Sequence, residues 1–583
     1  MKCASRLVVV LLAMISVASA HAQEESIAPR GWDLSQWELV PIQSAGRVKP
    51  MGAFAGEIVL HLSSRRQFEG WRPSEMLLSI VTNPKFWRDK LLIKVERKDV
   101  KKQLLLDESR QRFSVAELFS NPTLLQYAQR MGSEESTLAK PPNPNADPRE
   151  EELKRIFDRL MVFHRIVVGD DLKIIPSEPG TSWERLNPNE EGRQKPIQQV
   201  LSDQTAAGKI RSKFVELMGA YLSGDEKAFQ LASIALKGAV EQEASRLEPS
   251  FTQVVIPRIS AEKLYHDLRP FHWSWILYVF SALFFSIAAW LSTSAVSSVK
   301  VRISHWVAFS SMFFALGLHS AGFGLRSFVA GRPPVSNMYE SIVWVSFGAV
   351  AFSLIIYFFQ RFRVLLIVGS VLGALGLLAA DAAPTLMDPG LHPLVPVLRS
   401  NYWLTVHVLT ITLGYAAFAL TLGLGNVTLY RLALGSSEHS SEVSRLNQLT
   451  YRAMQFGVVL LAAGTILGGV WADYSWGRFW GWDPKEVWAL IALLTYLTVL
   501  HGRYAGWVGP MGFAAWTVAC FSSVVMAWYG VNFVLGVGLH SYGFSAGGQG
   551  PVGLAVLAQL IYVAGVVWWV RRRSKAISSS TVR

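Results

Sequence analysis

The sequence predicts an all-α polytopic membrane protein with about nine transmembrane helices, preceded by a signal peptide and a mainly helical extracytoplasmic domain. Three observations carry this prediction. Residues 273–570 are mostly apolar runs close to the roughly 20 residues that cross a bilayer as a helix. Met1 to Ala22 has Lys2 and Arg6, an apolar run from Leu7 to Val17, and small residues at Ala18-Ser19-Ala20 and Ala20-His21-Ala22, the order of a cleavable export signal. Lysines and arginines recur on alternate connections between the apolar runs, as the positive-inside rule requires.

The 583 residues are 51% hydrophobic and include 21 tryptophans, too long for one domain and too apolar for an ordinary soluble enzyme. Residues 1–22 are expected to be the signal peptide, 23–270 a charged extracytoplasmic domain, and 271–583 the membrane domain. In the soluble part, Gly46-Arg47-Val48-Lys49-Pro50-Met51 reads as a strand or turn bounded by glycine and proline. Glu150 to Val168 and Lys209 to Leu247 carry apolar residues every three or four positions, a helical period. Leu138 to Asp147 is proline-rich and polar, an exposed loop or linker. His61 and His164 sit in contexts that suit packed or solvated side chains.

The nine runs are 273–291, 303–325, 341–359, 364–380, 404–434, 454–471, 486–500, 511–529 and 552–570. Lys300 and Arg302, Arg361 and Arg363, Arg431 and Arg445, His501 and Arg503, and Arg571 to Arg573 fall on one set of connections. Placing these in the cytoplasm puts the soluble domain outside, in agreement with the signal peptide. The formal charge of +13 is therefore largely explained by membrane orientation and gives no reason to expect nucleic acid. The two cysteines, Cys3 and Cys520, form neither a disulfide framework nor a Cys-x-x-Cys pair. Cys-x-x-Cys-His is also absent, so the chain is not itself a c-type cytochrome.

The most informative stretch is Gly468 to Arg503. Its first apolar run ends at Trp471, and a short loop holding Trp476, Phe479, Trp480 and Trp482 leads to Asp483-Pro484-Lys485-Glu486. Asp483 is a candidate N-cap, Pro484 a first-turn proline, and Glu486 the third residue of a capping box. The tryptophans suit either an interfacial aromatic belt or a flat platform for a planar ligand. The predicted topology puts this loop, His407 near the outer end of its helix, and His540 in the next outer loop on one side of the membrane.

The segment Trp476-Gly477-Arg478-Phe479-Trp480-Gly481-Trp482-Asp483-Pro484-Lys485-Glu486 resembles the tryptophan-rich WWD signature of membrane haem-handling proteins. The resemblance is closest to the CcsA, or ResC, family of System II cytochrome c maturation, and covers residues 300–545. It implies a protein that moves or holds haem at the outer face. There the haem is presented to the Cys-x-x-Cys-His segment of an exported apocytochrome c, in a synthase complex with a CcsB- or ResB-like membrane partner. It further implies that His407 and His540 ligate haem iron, that Trp476, Trp480 and Trp482 pack the porphyrin, and that His501 ligates a second haem nearer the cytoplasm.

Arg478 and Lys485 are the nearest cations for the haem propionates, and Asp483 contributes mainly as a helix cap. His305 is the other histidine predicted at an inner helix end. His319 lies in an outer half-helix, and Asn337, Tyr339 and Glu340 suit packing or capping. Two other classes remain open: a transporter of a small solute using Asn532 or Glu340, and a scaffold whose exported domain recruits partners.

Overall fold

The computed structural model describes residues 30–131, 147–187, 189–190, 193–194, 204–293, 298–393, 401–536, 538 and 548–581. The expected signal peptide, the proline-rich stretch before Asp147, and His540 lie outside the described residues. The fold is all-α and polytopic. The chain divides into two units, Met1–Lys140 with Ala146–Leu268, and Pro141–Asn145 with Arg269–Arg583.

The first unit is helical around a small hairpin. Strands β1 (Pro41–Ser44) and β2 (Arg47–Pro50) pair antiparallel from Pro41↔Pro50 to Ser44↔Arg47. Ala45 and Gly46, at φ 49° and 78°, make the two-residue turn that matches strand twist. The expected strand at Gly46 to Met51 is thus one arm of this hairpin.

Its cations are satisfied internally: Arg47 forks onto Glu262 at 2.6 and 2.7 Å, and the fully buried Lys49 meets Glu57 at 2.6 and 2.8 Å. Helix α1 (Met51–Ser63) follows directly, and α2 (Pro148–Val167) starts where Asp147 caps Arg149 N–H. The period read through Lys209 to Leu247 is two helices, α3 (Ala206–Leu222) and α4 (Glu226–Leu247). Gly224 at φ 74° turns the chain between them, and Asp225 caps the second.

Helix α5 (Phe251–Leu268) completes the unit, whose core gathers Trp37, Trp71, Trp87, Phe54, Ile156 and Phe229. His61 pairs with Asp158 at 3.1 Å, and desolvation holds the half-buried His164 imidazole below its ordinary pKa.

The second unit is a helical bundle: α6 (Pro270–Thr293), α7 (Ser298–Ala330), α8 (Met338–Gln360), α9 (Val364–Ala382), α10 (Asn401–Ala433), α11 (Ser441–Trp476), α12 (Pro484–Tyr504), α13 (Pro510–Val525) and α14 (Gln549–Thr581). A π-helical turn, Met526–Leu535, extends α13. Among the described residues nine helices are long and apolar enough to cross a membrane.

Helices overrun the apolar runs where polar turns continue them. With 36 residues, α11 is about 54 Å long against a hydrocarbon core of about 30 Å. It therefore continues past Trp471 to Trp476, which lies on the helix and not in the loop. Gly477, at φ 72°, ends it with its N–H on Asp473 O.

The buried starts of the helices follow capping chemistry. Asn337 accepts from Glu340 N–H at 2.8 Å, and the Glu340 carboxylate holds Arg326 at 2.8 Å, Arg332 at 3.4 Å and Ser336 N–H at 2.9 Å. Arg326 and Arg332 also reach Pro389 O and His392 O, tying the α9–α10 connection to the start of α8.

An Arg47→Met variant leaves the Glu262 carboxylate, 2% exposed, without its fork. Breaking a buried pair on one side costs on the order of 3–5 kcal/mol. Limited proteolysis of the first unit in the full-length protein should accelerate by roughly a hundredfold or more; an unchanged rate would show the pair to be dispensable.

Candidate functional site

The site is built where α10 and α11 approach closely. An added Cβ at Gly464 would lie 2.7 Å from Ile411 Cα, so only glycine permits this contact. The same carbonyl that glycine exposes takes a bond from His407: Nδ1 donates to Gly464 O at 2.7 Å. One turn on, a Cβ at Gly468 would meet the His407 ring at 2.6 Å. Trp471, 1% exposed, lies parallel to the imidazole with 6.4 Å between centroids and 7° between planes. A backbone carbonyl on Nδ1–H fixes the tautomer, which makes Nε2 the lone-pair nitrogen suited to a metal.

The loop after α11 is closed by one carboxylate. Glu486 Oε2 accepts from Gly481 N–H at 2.8 Å and Asp483 N–H at 3.1 Å, while Oε1 holds Arg478 at 3.4 Å. Asp483 caps α12 and accepts Lys485 N–H at 3.1 Å, completing the capping box expected from Asp-Pro-Lys-Glu. Arg478 crosses Gly481 where no side chain would fit, and its guanidinium lies 5.8 Å from the Trp476 ring centre. Phe479 folds back onto Gly469, whose Cβ would stand 2.5 Å from the ring. Trp476 packs on Trp471 with centroids 4.6 Å apart, and Trp480 meets Trp482 edge-on at 6.0 Å.

Trp482 is unusual in two respects. It is 71% exposed, and its φ is 58°, a left-handed conformation costing an L residue roughly 1–2 kcal/mol. The capping box on one side and the Glu486 bonds on the other hold it there. Gly538, two residues before His540, stands against this corner: a Cβ on it would be 2.3 Å from Asp483 Oδ2.

These elements line a partly open cleft of about 130 Å³. The start of α8 (Val335 to Ser341), the N-terminal half of α10 with His407, α11 with Gly468 and Trp471, the loop with Phe479 and Trp480, α12 with Lys485, and the π-helical segment with Trp528 and Asn532 all contribute. Trp528 Nε1 donates to Ser341 Oγ at 2.9 Å, and Lys485 Nζ to Asn532 Oδ1 at 3.4 Å, closing the far wall. A mostly aromatic and aliphatic lining with a few convergent polar groups is the usual character of a ligand-binding cleft.

His407, Trp480 and Lys485 thus share one cleft, with Trp476, Trp482, Arg478 and Asp483 forming the loop beside it. His501 does not join them. It is exposed in the last turn of α12, roughly 25 Å along the axis from Pro484, with Nδ1 donating to Leu497 O at 2.8 Å. His305 packs edge-on against Phe285, and His319 is a buried core residue between Tyr278 Oη at 3.3 Å and Val343 O at 3.1 Å. Glu340, the transporter candidate, is taken up by two arginines. Reading the sequence missed Gly464, Gly468 and Gly469. Their signal was the Gly-x-x-x-Gly spacing and the glycine pair at the head of the tryptophan-rich stretch.

Residues 335–540 match the family described as Cytochrome C assembly protein. The chain is 34% identical over 303 residues to the cytochrome c biogenesis protein CcsA of Prochlorococcus marinus (strain NATL2A), covering 46% of this chain and 92% of that protein. It is 31% identical over 272 residues to CcsA of Guillardia theta, covering 42% and 88%. It is also 29% identical over 526 residues to protein NrfI of Wolinella succinogenes, covering 87% of this chain but only 54% of NrfI. Residues 269–583 alone cannot accommodate a match of that extent, so it reaches into the first unit. With 92% of the Prochlorococcus marinus CcsA matched at 34% identity, the chain belongs to the CcsA family of cytochrome c biogenesis proteins.

Proposed function

We propose that the chain holds haem at the outer face of the bacterial cytoplasmic membrane and presents it for covalent attachment to exported apocytochrome c. The observation that carries this reading is the His407 imidazole at an aromatic cleft, its Nδ1–H on Gly464 O so that Nε2 carries the lone pair. Neutral imidazole is a common axial ligand of haem iron, and tryptophans at the cleft suit a porphyrin face. In this reading His540, which the resemblance pairs with His407, would supply a second ligand.

In this reading the chain's own residues bind and orient, and the nucleophile comes from the apocytochrome; the cysteine among the described residues, Cys520, is buried within α13. Attachment itself adds a cysteine S–H of the apocytochrome across a haem vinyl group. A C–S bond forms, the proton ends on the other vinyl carbon, and no net oxidation occurs. Holding the ring still while two thiols reach two vinyls is a positioning task, and positioning contributes several kcal/mol to such reactions. In this reading the exposed, strained Trp482 on the loop beside the cleft contacts the incoming apocytochrome.

The first unit lies outside the membrane in this topology. A CcsB- or ResB-like protein completes the complex and supplies the partner ligand for His501. That residue's exposed position on α12 suits a ligand shared across a protein interface.

The purified full-length protein should carry haem with a bis-imidazole absorbance spectrum. A His407→Ala variant should lose most of it, and added imidazole should restore it. Wild-type protein that is colourless even when purified with its membrane partner would overturn the reading. Gly468→Val places a side chain in the His407 ring, so it should reproduce the His407→Ala haem deficit while the bundle still assembles in detergent, as checked by size-exclusion profile. Retention of full haem content by Gly468→Val would show that His407 is not held as described.

A further inference from the structure

The sequence offered Arg478 and Lys485 alike as cations for haem carboxylates, and the structure separates them. Arg478 is absorbed by the loop: it bonds Glu486, lies against Trp476, and fills the space over Gly481. Lys485 is on the first turn of α12 and lines the cleft that holds His407. Among the described residues lining the cleft it is the one lysine or arginine. The acidic residue of that lining, Glu486, has its carboxylate spent on Arg478 and two backbone N–H groups of the loop.

Two features make Lys485 a built anchor and not an incidental surface charge. Its ammonium reaches Asn532 Oδ1 at 3.4 Å, and Asn532 is itself fixed by Nδ2 donating to Trp528 O at 3.0 Å within the π-helical turn. This π-helical segment is ten residues long, and π-helical geometry is rare and found frequently at functional sites. Here the turn brings Trp528 and Asn532 to the cleft together. In addition, the capping box binds backbone N–H groups of the first turn of α12 to Asp483, so an anion arriving there is met by a side-chain ammonium.

We infer that Lys485, positioned by Asn532, is the carboxylate anchor of the cleft, and that the site selects porphyrins bearing free propionates. This rests on the proposed haem-holding function of the same cleft and adds its ligand specificity. An ammonium–carboxylate bond shielded from water is among the stronger polar contacts, whereas an esterified propionate offers a neutral acceptor. Carboxylate recognition would also fix how the ring sits in the cleft, because the propionates occupy one edge of the porphyrin.

The test titrates the full-length protein, freed of haem and held in detergent, with iron protoporphyrin IX and separately with its dimethyl ester, following the Soret band. Wild type should prefer the free acid by about tenfold or more. Lys485→Met should reduce that preference to less than about threefold while still binding the ester, and Lys485→Arg should restore much of it. Asn532→Leu should weaken the preference in the same direction by loosening the lysine.

Equal binding of acid and ester by wild type, or an undiminished preference in Lys485→Met, would overturn the anchor while leaving haem binding intact. Failure of wild type to bind either porphyrin would overturn the haem-holding function and the anchor with it.

Discussion

The site depends on the close approach of two long helices. Where α10 meets α11, a side chain at Gly464 would collide with the Ile411 backbone, and a side chain at Gly468 would collide with the His407 ring. Within a bilayer, helices gain little from hydrophobic exclusion and associate through close packing, which small residues permit. The same close approach brings a backbone carbonyl of α11 within 2.7 Å of His407 Nδ1. Packing that serves stability therefore also sets the tautomer, and with it the nitrogen that can meet a metal.

The loop depends on a second constraint, the Glu486 carboxylate. It closes a capping box at the start of α12 and collects Gly481 N–H, Asp483 N–H and Arg478 from the preceding turn. Because helix start and loop share one carboxylate, the loop backbone on either side of Trp482 is tied to α12. The unfavourable backbone of Trp482 is held by bonds on both sides of it. An exposed indole maintained at that cost points to a role in contact with something outside the bundle.

Much of this was legible in the sequence because it follows from local chemistry. Asp-Pro-Lys-Glu announced its capping box, Asn337 its cap, and the length of each apolar run a membrane helix. Helix ends were harder: Ala472-Asp473-Tyr474-Ser475 reads as a polar exit from the bilayer, yet the helix continues through it until Gly477. The cleft walls were not legible, because they join residues distant in the chain. Trp528 bonds Ser341 across 187 positions, and nothing in either local sequence announces the other. The role of Arg478 was equally hidden, since a loop arginine beside aromatics looks the same whether it faces a ligand or locks the loop.

We propose that His407 Nε2 meets haem iron in the cleft between α8, α10, α11 and α12. An electron cryomicroscopy map of the full-length protein loaded with haem tests it most directly. The account predicts porphyrin density beside Trp471 and Trp480, with iron about 2 Å from His407 Nε2, a normal length for a metal–imidazole bond. Porphyrin bound elsewhere, with the His407 ring still packed on Trp471 and no iron near it, would contradict the account.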